Sequence, residues 1–242
     1  ILSGRVPCFN ANELKFVTLF FVPLFYVIAS PPLPFPACRA DDIECLRRGL
    51  RTFFVLMDSG HVGMKPIDPF LVNSVAVALP DEQMSILLRR ANVTGVRWTK
   101  LVDRRFNGGK SGTTFSSDLH VTGEINVNMA NRVEPFVAFL TMDIDQVESN
   151  ITYPWHATKG IDNEDYILIG PERIAIRNFR TPTFFLQPSK TIPIDNFLLS
   201  KPSILDHMSN EITAALMHSV MDNFRLFASS VPVRYYYKYY EK

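Results

Sequence analysis

The feature that most constrains this fold is a long helical pattern near the end of the chain. Apolar residues recur there at helical spacing, at Leu205, Met208, Ile212, Leu216, Val220, Phe224 and Phe227. Met217 and Met221 lie on another side, so the helix is apolar over much of its circumference. Ser203 is suited to cap this helix and Pro232 to end it. Such a helix must be enclosed by other elements.

The middle of the chain has the period of two that is typical of β-strands. Apolar and polar residues alternate from Leu119 to Met129 and again from Phe136 to Ile144. Weaker strands are predicted at 70–79, 84–93, 96–106, 165–170, 173–179 and 183–187. The segments 107–109 and 159–162 have the composition of hairpin turns. Since no helical pattern alternates with the strands, the prediction is an antiparallel sheet.

A second helical stripe lies near the start of the chain, at Ile43, Leu46, Leu50, Phe53 and Met57. Asp41 is predicted to cap this helix with Glu44 as its capping-box partner, and Gly60 to end it. One economical way to bury the last helix is to wrap the sheet around it. The predicted fold is therefore α+β: a strongly curved antiparallel β-sheet wrapped around a long C-terminal helix, with an N-terminal helix.

The N-terminus has the pattern of a secretory signal peptide. The segment from Phe16 to Ser30 carries no charge and follows Lys15. Its length suits a signal peptide and is short for a membrane span. The alternative is a buried core helix. We predict a leader at 1–29, a Pro-rich entry segment at 30–37 and a single domain at 38–242. The protein is therefore expected to be secreted, extracellular and without a stable membrane anchor.

Cysteine usage agrees with secretion. Cys8 lies in the predicted leader, which leaves Cys38 and Cys45 as a pair in a compartment that favours disulfides. No further Cys or His lies close enough in sequence to suggest a metal pair. The triplets that begin at Asn92 and Asn150 are candidate N-glycosylation sites.

Motifs for catalysis or phosphate binding are not found. The run 108–111 is similar to the end of a phosphate loop, but the position of that motif's first glycine holds Arg104, which favours a hairpin turn. No nucleophile elbow occurs, and the five histidines lack metal-ligand spacing. Asp143 and Asp145 are predicted on the solvent-facing side of a strand, where charged side chains are common and a catalytic pair is not favoured. We therefore expect no enzyme, no cofactor and no metal.

Two further residue patterns are each compatible with two interpretations. His207 and His218 share a helix face, where packing is favoured over a proton relay. The tyrosines at 235–240 could stack on bases or pack against the domain. Nucleic acid is not expected as a partner, because the formal net charge is only +1.

The apolar residues are compatible with either an ordinary core or a cavity. They make up 47% of the chain and include 19 phenylalanines, enough for a substantial core. A core and an apolar pocket use the same residue types, so spacing alone does not separate them.

The segment 38–106 resembles the opening of the takeout/juvenile-hormone-binding family of insects. A cysteine-flanked helix leads to Gly60 and Gly63 and then to the run Ile67-Asp68-Pro69-Phe70. Asn92-Val93-Thr94-Gly95-Val96 is similar to the family's step between two early strands. The rest of the chain matches mainly in layout, and 107–145 departs from the family pattern.

This resemblance implies the tubular lipid-binding fold, secretion, no catalysis, and an apolar tunnel for a small hydrophobic ligand. The ligand would be a juvenile hormone-like terpenoid or a fatty acid; no receptor is indicated. The alternative is a secreted interaction or structural protein of the same fold without a ligand cavity. The candidate ligand-binding residues are Leu46, Leu50, Phe53, Met57, Met64, Phe70, Trp98, Phe136, Phe139, Met208, Ile212 and Leu216.

Overall fold

The computed structural model describes residues 37–187 and 192–238. Its helices are α1 (Ile43–Asp58), α2 (Ile192–Ser200) and α3 (Pro202–Ser230). Its strands are β1 (Phe70–Leu79), β2 (Met84–Thr94), β3 (Lys100–Asn107), β4 (Lys110–Met129), β5 (Phe136–Lys159), β6 (Asp165–Ile169), β7 (Arg173–Arg177) and β8 (Thr183–Gln187). The predicted leader and all but the last residue of the entry segment lie outside the described residues.

The strands form one antiparallel sheet built around the long hairpin of β4 and β5. On one side β4 pairs with β2 and β3, and β1 pairs with β2. On the other side β5 pairs with β6, β7 and β8. The sheet curls into a half-barrel, as predicted.

Helix α3 lies against the inner face of this sheet and contacts β1, β5, β6 and β7. Its predicted apolar stripe is buried at Leu205, Met208, Ile212, Leu216, Val220 and Phe227, and so are Met217 and Met221 on the other side. The prediction that this helix is enclosed is therefore confirmed. The predicted cap is wrong: the N-cap residue is Lys201, and Pro202 occupies the first turn, where its missing N–H costs no helical hydrogen bond.

Helix α1 begins one residue later than predicted. The side chain of Asp42, not Asp41, accepts a hydrogen bond from the Cys45 backbone N–H at 3.0 Å. Asp41 instead pairs with Arg39 at 3.0 Å, and Glu44 pairs with Arg47. Since Glu44 is engaged by a side chain on its own helix, the capping box was a wrong prediction.

Both central strands are longer than the alternation predicted, because a β-bulge interrupts it. The β4–β5 register shifts between Ser117 and Leu119, opposite Ile144 to Val147. Gln146 has a φ of 53°, and its backbone N–H donates to the Asp118 side chain at 2.9 Å. A bulge moves the inward-facing positions by one residue, so a strict period of two ends there. At 96–98 the chain forms a 3-10 turn, and β3 starts at Lys100.

A disulfide joins Cys38 to Cys45, with their Cα atoms 5.6 Å apart, which confirms the predicted pair. Cys38 also holds the end of the described chain. Its N–H donates to the Tyr236 carbonyl at 2.9 Å, and the Lys238 N–H donates to the Cys38 carbonyl at 2.8 Å. The start of α1 and the segment after α3 are therefore fastened together. No helix in the described ranges is long and apolar enough to cross a membrane.

Candidate ligand-binding site

An apolar cavity of about 360 Å³ lies between α1, the C-terminal half of α3 and strands β3 to β6. Cavities that hold small molecules are typically roughly 300–1,000 Å³ and mostly apolar, with a few polar groups. The cavity is therefore large enough for a modest apolar ligand.

The two helices supply adjoining parts of the cavity wall. Leu46, Leu50 and Phe53 follow one another at helical spacing on α1, and each lines the cavity. Phe224 and Phe227 line it from α3. The Phe53 ring stacks on Phe224 with centroids 4.3 Å apart and meets Phe227 edge-on at 5.3 Å. These rings join the helices at one end of the cavity.

The strands supply the opposite wall, with apolar side chains from Leu101, Phe106, Phe115, Trp155, Ile167 and Ile169. In β3 a register shift between Leu101 and Asp103 changes which positions face inward. After the shift Arg104 and Phe106 line the cavity, and Arg105 is exposed. The bulge therefore brings a cation into a mostly apolar wall.

The side chain of Arg104 is the charged group of the strand wall. It donates to the Thr113 hydroxyl and hydrogen bonds with the hydroxyls of Tyr153 and Tyr237. Its guanidinium carbon lies 4.5 Å from the Phe106 ring centroid and 5.4 Å from that of Tyr153. Throughout 37–187 and 192–238, no carboxylate forms an ion pair with Arg104. Within these ranges the guanidinium is held by hydroxyls and aromatic faces and not by an opposite charge.

These contacts keep the Arg104 side chain charged and the Tyr237 hydroxyl protonated. Burial lowers the pKa of Arg104, but the electrostatic attraction of Tyr237 and Tyr153, together with their hydrogen bonds to the guanidinium, more than offsets this and raises the pKa overall. The guanidinium therefore stays charged. Burial raises the pKa of Tyr237, and the attraction of Arg104 offsets this only in part. The Tyr237 hydroxyl stays protonated and can donate a hydrogen bond.

The end of the described chain closes one side of the cavity. Tyr236, Tyr237 and Lys238 line it together with Cys38. Tyr237 also meets Phe106 edge-on, with ring centroids 5.8 Å apart. Because Cys38 is bound both to Cys45 and to this segment, the disulfide stabilises the closure.

Three of the sequence-predicted residues, Leu46, Leu50 and Phe53, line the cavity, and nine do not. Those nine are Met57, Met64, Phe70, Trp98, Phe136, Phe139, Met208, Ile212 and Leu216. The cavity lies beside the last turns of α3, so residues near its start fill the core instead. Trp98 is 66% exposed and Phe139 48% exposed, on the outside of the molecule. We leave the nine out of the proposed site.

Four residues that line the cavity were not predicted as site residues: Arg104, Tyr153, Trp155 and Tyr237. The tyrosine run carried a weak signal, since a run of aromatics often packs against its own domain. Arg104 carried none, because strict alternation from Leu101 places Asp103 and Arg105 inward.

The remaining candidate motifs have structural roles. Gly108 and Gly109 have φ angles of 35° and 79° in the β3–β4 hairpin turn, as predicted. Asp143 is exposed and pairs with His120 at 2.6 Å. His218 and Arg225 both pair with Glu172. In the part of the chain that the structure describes, no three or more His, Cys, Asp or Glu side chains are grouped to hold a metal.

Comparison with known proteins identifies the fold. No family model and no curated protein sequence matches the chain. Among solved structures, Takeout 1 of Epiphyas postvittana superposes with a TM-score of 0.70 at 12% identity, over 84% of this chain and 99% of that one. A lipopolysaccharide binding protein gives 0.47 at 10% identity, over 81% of this chain and 40% of that one. The match to Takeout 1 confirms the resemblance at the level of the fold, which is the tubular lipid-binding fold.

Proposed function

We propose that this protein is a secreted carrier that holds a small hydrophobic ligand in the cavity between α1 and α3. The observation that carries the proposal is the cavity itself, which is lined by Leu46, Leu50 and Phe53 of α1 and by Phe224 and Phe227 of α3. A core that served stability alone would be packed to near-crystalline density at this position. An apolar cavity of about 360 Å³ instead leaves room for a guest.

The ligand class follows from the lining. The walls are mainly aliphatic and aromatic side chains with a minority of polar ones, so the main driving force is the transfer of apolar ligand surface out of water, about 25 cal/mol per Å². A terpenoid similar to juvenile hormone or a fatty acid has this surface. A secreted interaction protein without a cavity is not favoured by this lining.

Secretion is part of the proposal and is supported by several features. The uncharged segment 16–30 has the pattern of a signal peptide. The Cys38–Cys45 disulfide is typical of proteins in an oxidising compartment. We propose that the functional domain is the segment 38–242.

Filling the cavity tests the proposal. Leu50 is 8% exposed and faces the cavity from α1. Leu50→Trp should lower the affinity for a fluorescent fatty acid, and for the terpenoids and fatty acids that displace it, at least tenfold. Val55 lies on the same helix and is 61% exposed, so Val55→Trp is the matched control and should bind normally. Equal binding by both variants would contradict a ligand site in this cavity.

A further inference from the structure

Arg104 is unusual among the strand residues of the cavity because it brings a full positive charge to a mostly apolar wall. It is half-buried, and none of the described carboxylates pairs with it. Charges in such surroundings are normally paired, since the loss of hydration is costly. The cation–π contacts with Phe106 and Tyr153 and the hydroxyls around it stabilise the guanidinium but bring no negative charge to neutralise it.

The surroundings of Arg104 are also arranged to receive an anion. A guanidinium has five N–H donors in a plane and can bind both oxygens of a carboxylate at once. The guanidinium has more N–H donors than its contacts with Thr113, Tyr153 and Tyr237 use, so donors remain for a ligand. Each of these three residues also lines the cavity. The protonated Tyr237 hydroxyl can donate to the same anion.

We propose that Arg104 is the headgroup-binding residue of the cavity and that the ligand carries a carboxylate on an apolar chain, rather than a neutral ester. This inference rests on the proposed carrier function and makes it more specific. The apolar walls at Leu50, Phe53 and Phe227 would hold the chain, and Arg104 with Tyr237 would hold the carboxylate.

A monocarboxylate is favoured over other headgroups by the local charge and size. The guanidinium of Arg104 balances one negative charge, whereas a phosphate monoester carries nearly two; the other cation at the cavity, Lys238, is exposed to solvent. A neutral ester or alcohol would take hydrogen bonds from Arg104 but leave its charge uncompensated. The same carboxylate could belong to a straight-chain fatty acid or to a branched terpenoid acid.

The test compares acids with their methyl esters. The chain has two tryptophans, Trp98 and Trp155, and only Trp155 lines the cavity. Trp98→Phe therefore makes Trp155 fluorescence a reporter of the site. Dodecanoate, methyl dodecanoate, farnesoate and methyl farnesoate would be titrated into this reporter. Each acid is compared with its own ester, and the two acids compare straight with branched chains.

The expected result is that at least one acid binds tenfold or more tightly than its ester. Arg104→Gln should weaken binding of that acid roughly 10- to 100-fold and change ester binding less than about twofold, because the Gln amide can still donate a hydrogen bond to the ester carbonyl. Arg105→Gln is the matched control: Arg105 is the next residue, is exposed and contacts Asp103 and Asn150 outside the cavity. It should leave all four affinities unchanged.

A measurement on the ligand makes the test independent of the variant's folding. In dodecanoate labelled with ¹³C at the carboxyl, NMR titration should show a lower carboxyl pKa when bound to the unmodified site than in water, because a nearby cation favours the ionised form. Acids and esters that bind equally, with no lowering of the ligand pKa, would overturn the role of Arg104 and leave the carrier function intact. Binding of none of the four compounds would overturn both.

Discussion

The Phe53 ring of α1 stacks on the Phe224 ring of α3, with centroids 4.3 Å apart and planes inclined by 15°. Aromatic pairs of this kind contribute about 0.5–1.5 kcal/mol beyond the area they bury. The contact joins the two helices at the cavity wall, so Phe53 acts both in stability and in the shape of the site.

Removing the Phe53 ring should therefore change ligand choice as well as stability. We expect Phe53→Ala to cost about 3–5 kcal/mol and to shift the ligand ranking toward bulkier molecules, because the cavity becomes larger. Thermal melts run alongside fluorescent fatty-acid displacement separate the two effects. Phe54→Ala is the control: Phe54 is 1% exposed, does not line the cavity, and should lose similar stability with the ranking unchanged. An unchanged ranking in Phe53→Ala would remove Phe53 from the site.

The disulfide should stabilise both the fold and the closure of the cavity. We expect the double variant Cys38→Ser with Cys45→Ser to lose about 2–3 kcal/mol, because the closed loop is short and its entropy gain modest. Denaturant unfolding measures the loss. Thiol titration of the unreduced, mature protein should detect no free cysteine, and two reactive thiols would contradict the bridge.

Asn223 should be among the least replaceable polar residues of α3. Its side chain accepts from the Lys65 N–H at 2.9 Å and donates to the Lys65 carbonyl at 2.8 Å, while it is 3% exposed. Asn223→Ala removes both hydrogen bonds, each of which contributes about 0.5–1.5 kcal/mol. Asp222→Ala, next to it and exposed, should change stability by less than about 1 kcal/mol. Equal losses in urea unfolding would contradict this role.

Secretion can be checked together with glycosylation. We expect a secretory host to release the protein into the medium with its N-terminus near Ser30. Asn92 is exposed in β2 and should carry a glycan, whereas Asn150 is half-buried and accepts a hydrogen bond from Arg105 at 3.0 Å. N-glycosidase should therefore lower the mass of the native protein but not that of Asn92→Gln. Retention in membranes after carbonate extraction would contradict release.

The strongly periodic parts of the fold were predictable from the sequence. The apolar circumference of α3 required enclosure, and the alternation from Leu119 to Met129 required a sheet with one buried face. Leu46, Leu50 and Phe53 followed from one helical stripe together with the family resemblance. Each of these inferences depends on a pattern that a single element repeats along its own length.

The parts that were missed depend on interruptions and on tertiary packing. The bulge near Gln146 hid the true length of β5, and the register shift after Leu101 brought Arg104 inward. Helix α2 was not predicted, since its apolar residues are not arranged in a clear stripe. Which end of α3 borders the cavity depends on how the sheet curls, and no local sequence pattern determines this.

Native mass spectrometry of the protein secreted by eukaryotic cells tests the carrier function most directly. The native mass of a carrier should exceed that of the denatured, glycosylated polypeptide by one small lipophilic molecule, which organic extraction should recover. Leu50→Trp should lose this molecule and Val55→Trp should keep it. A native mass equal to that of the polypeptide, with no uptake when terpenoids and fatty acids are added, would contradict the carrier function.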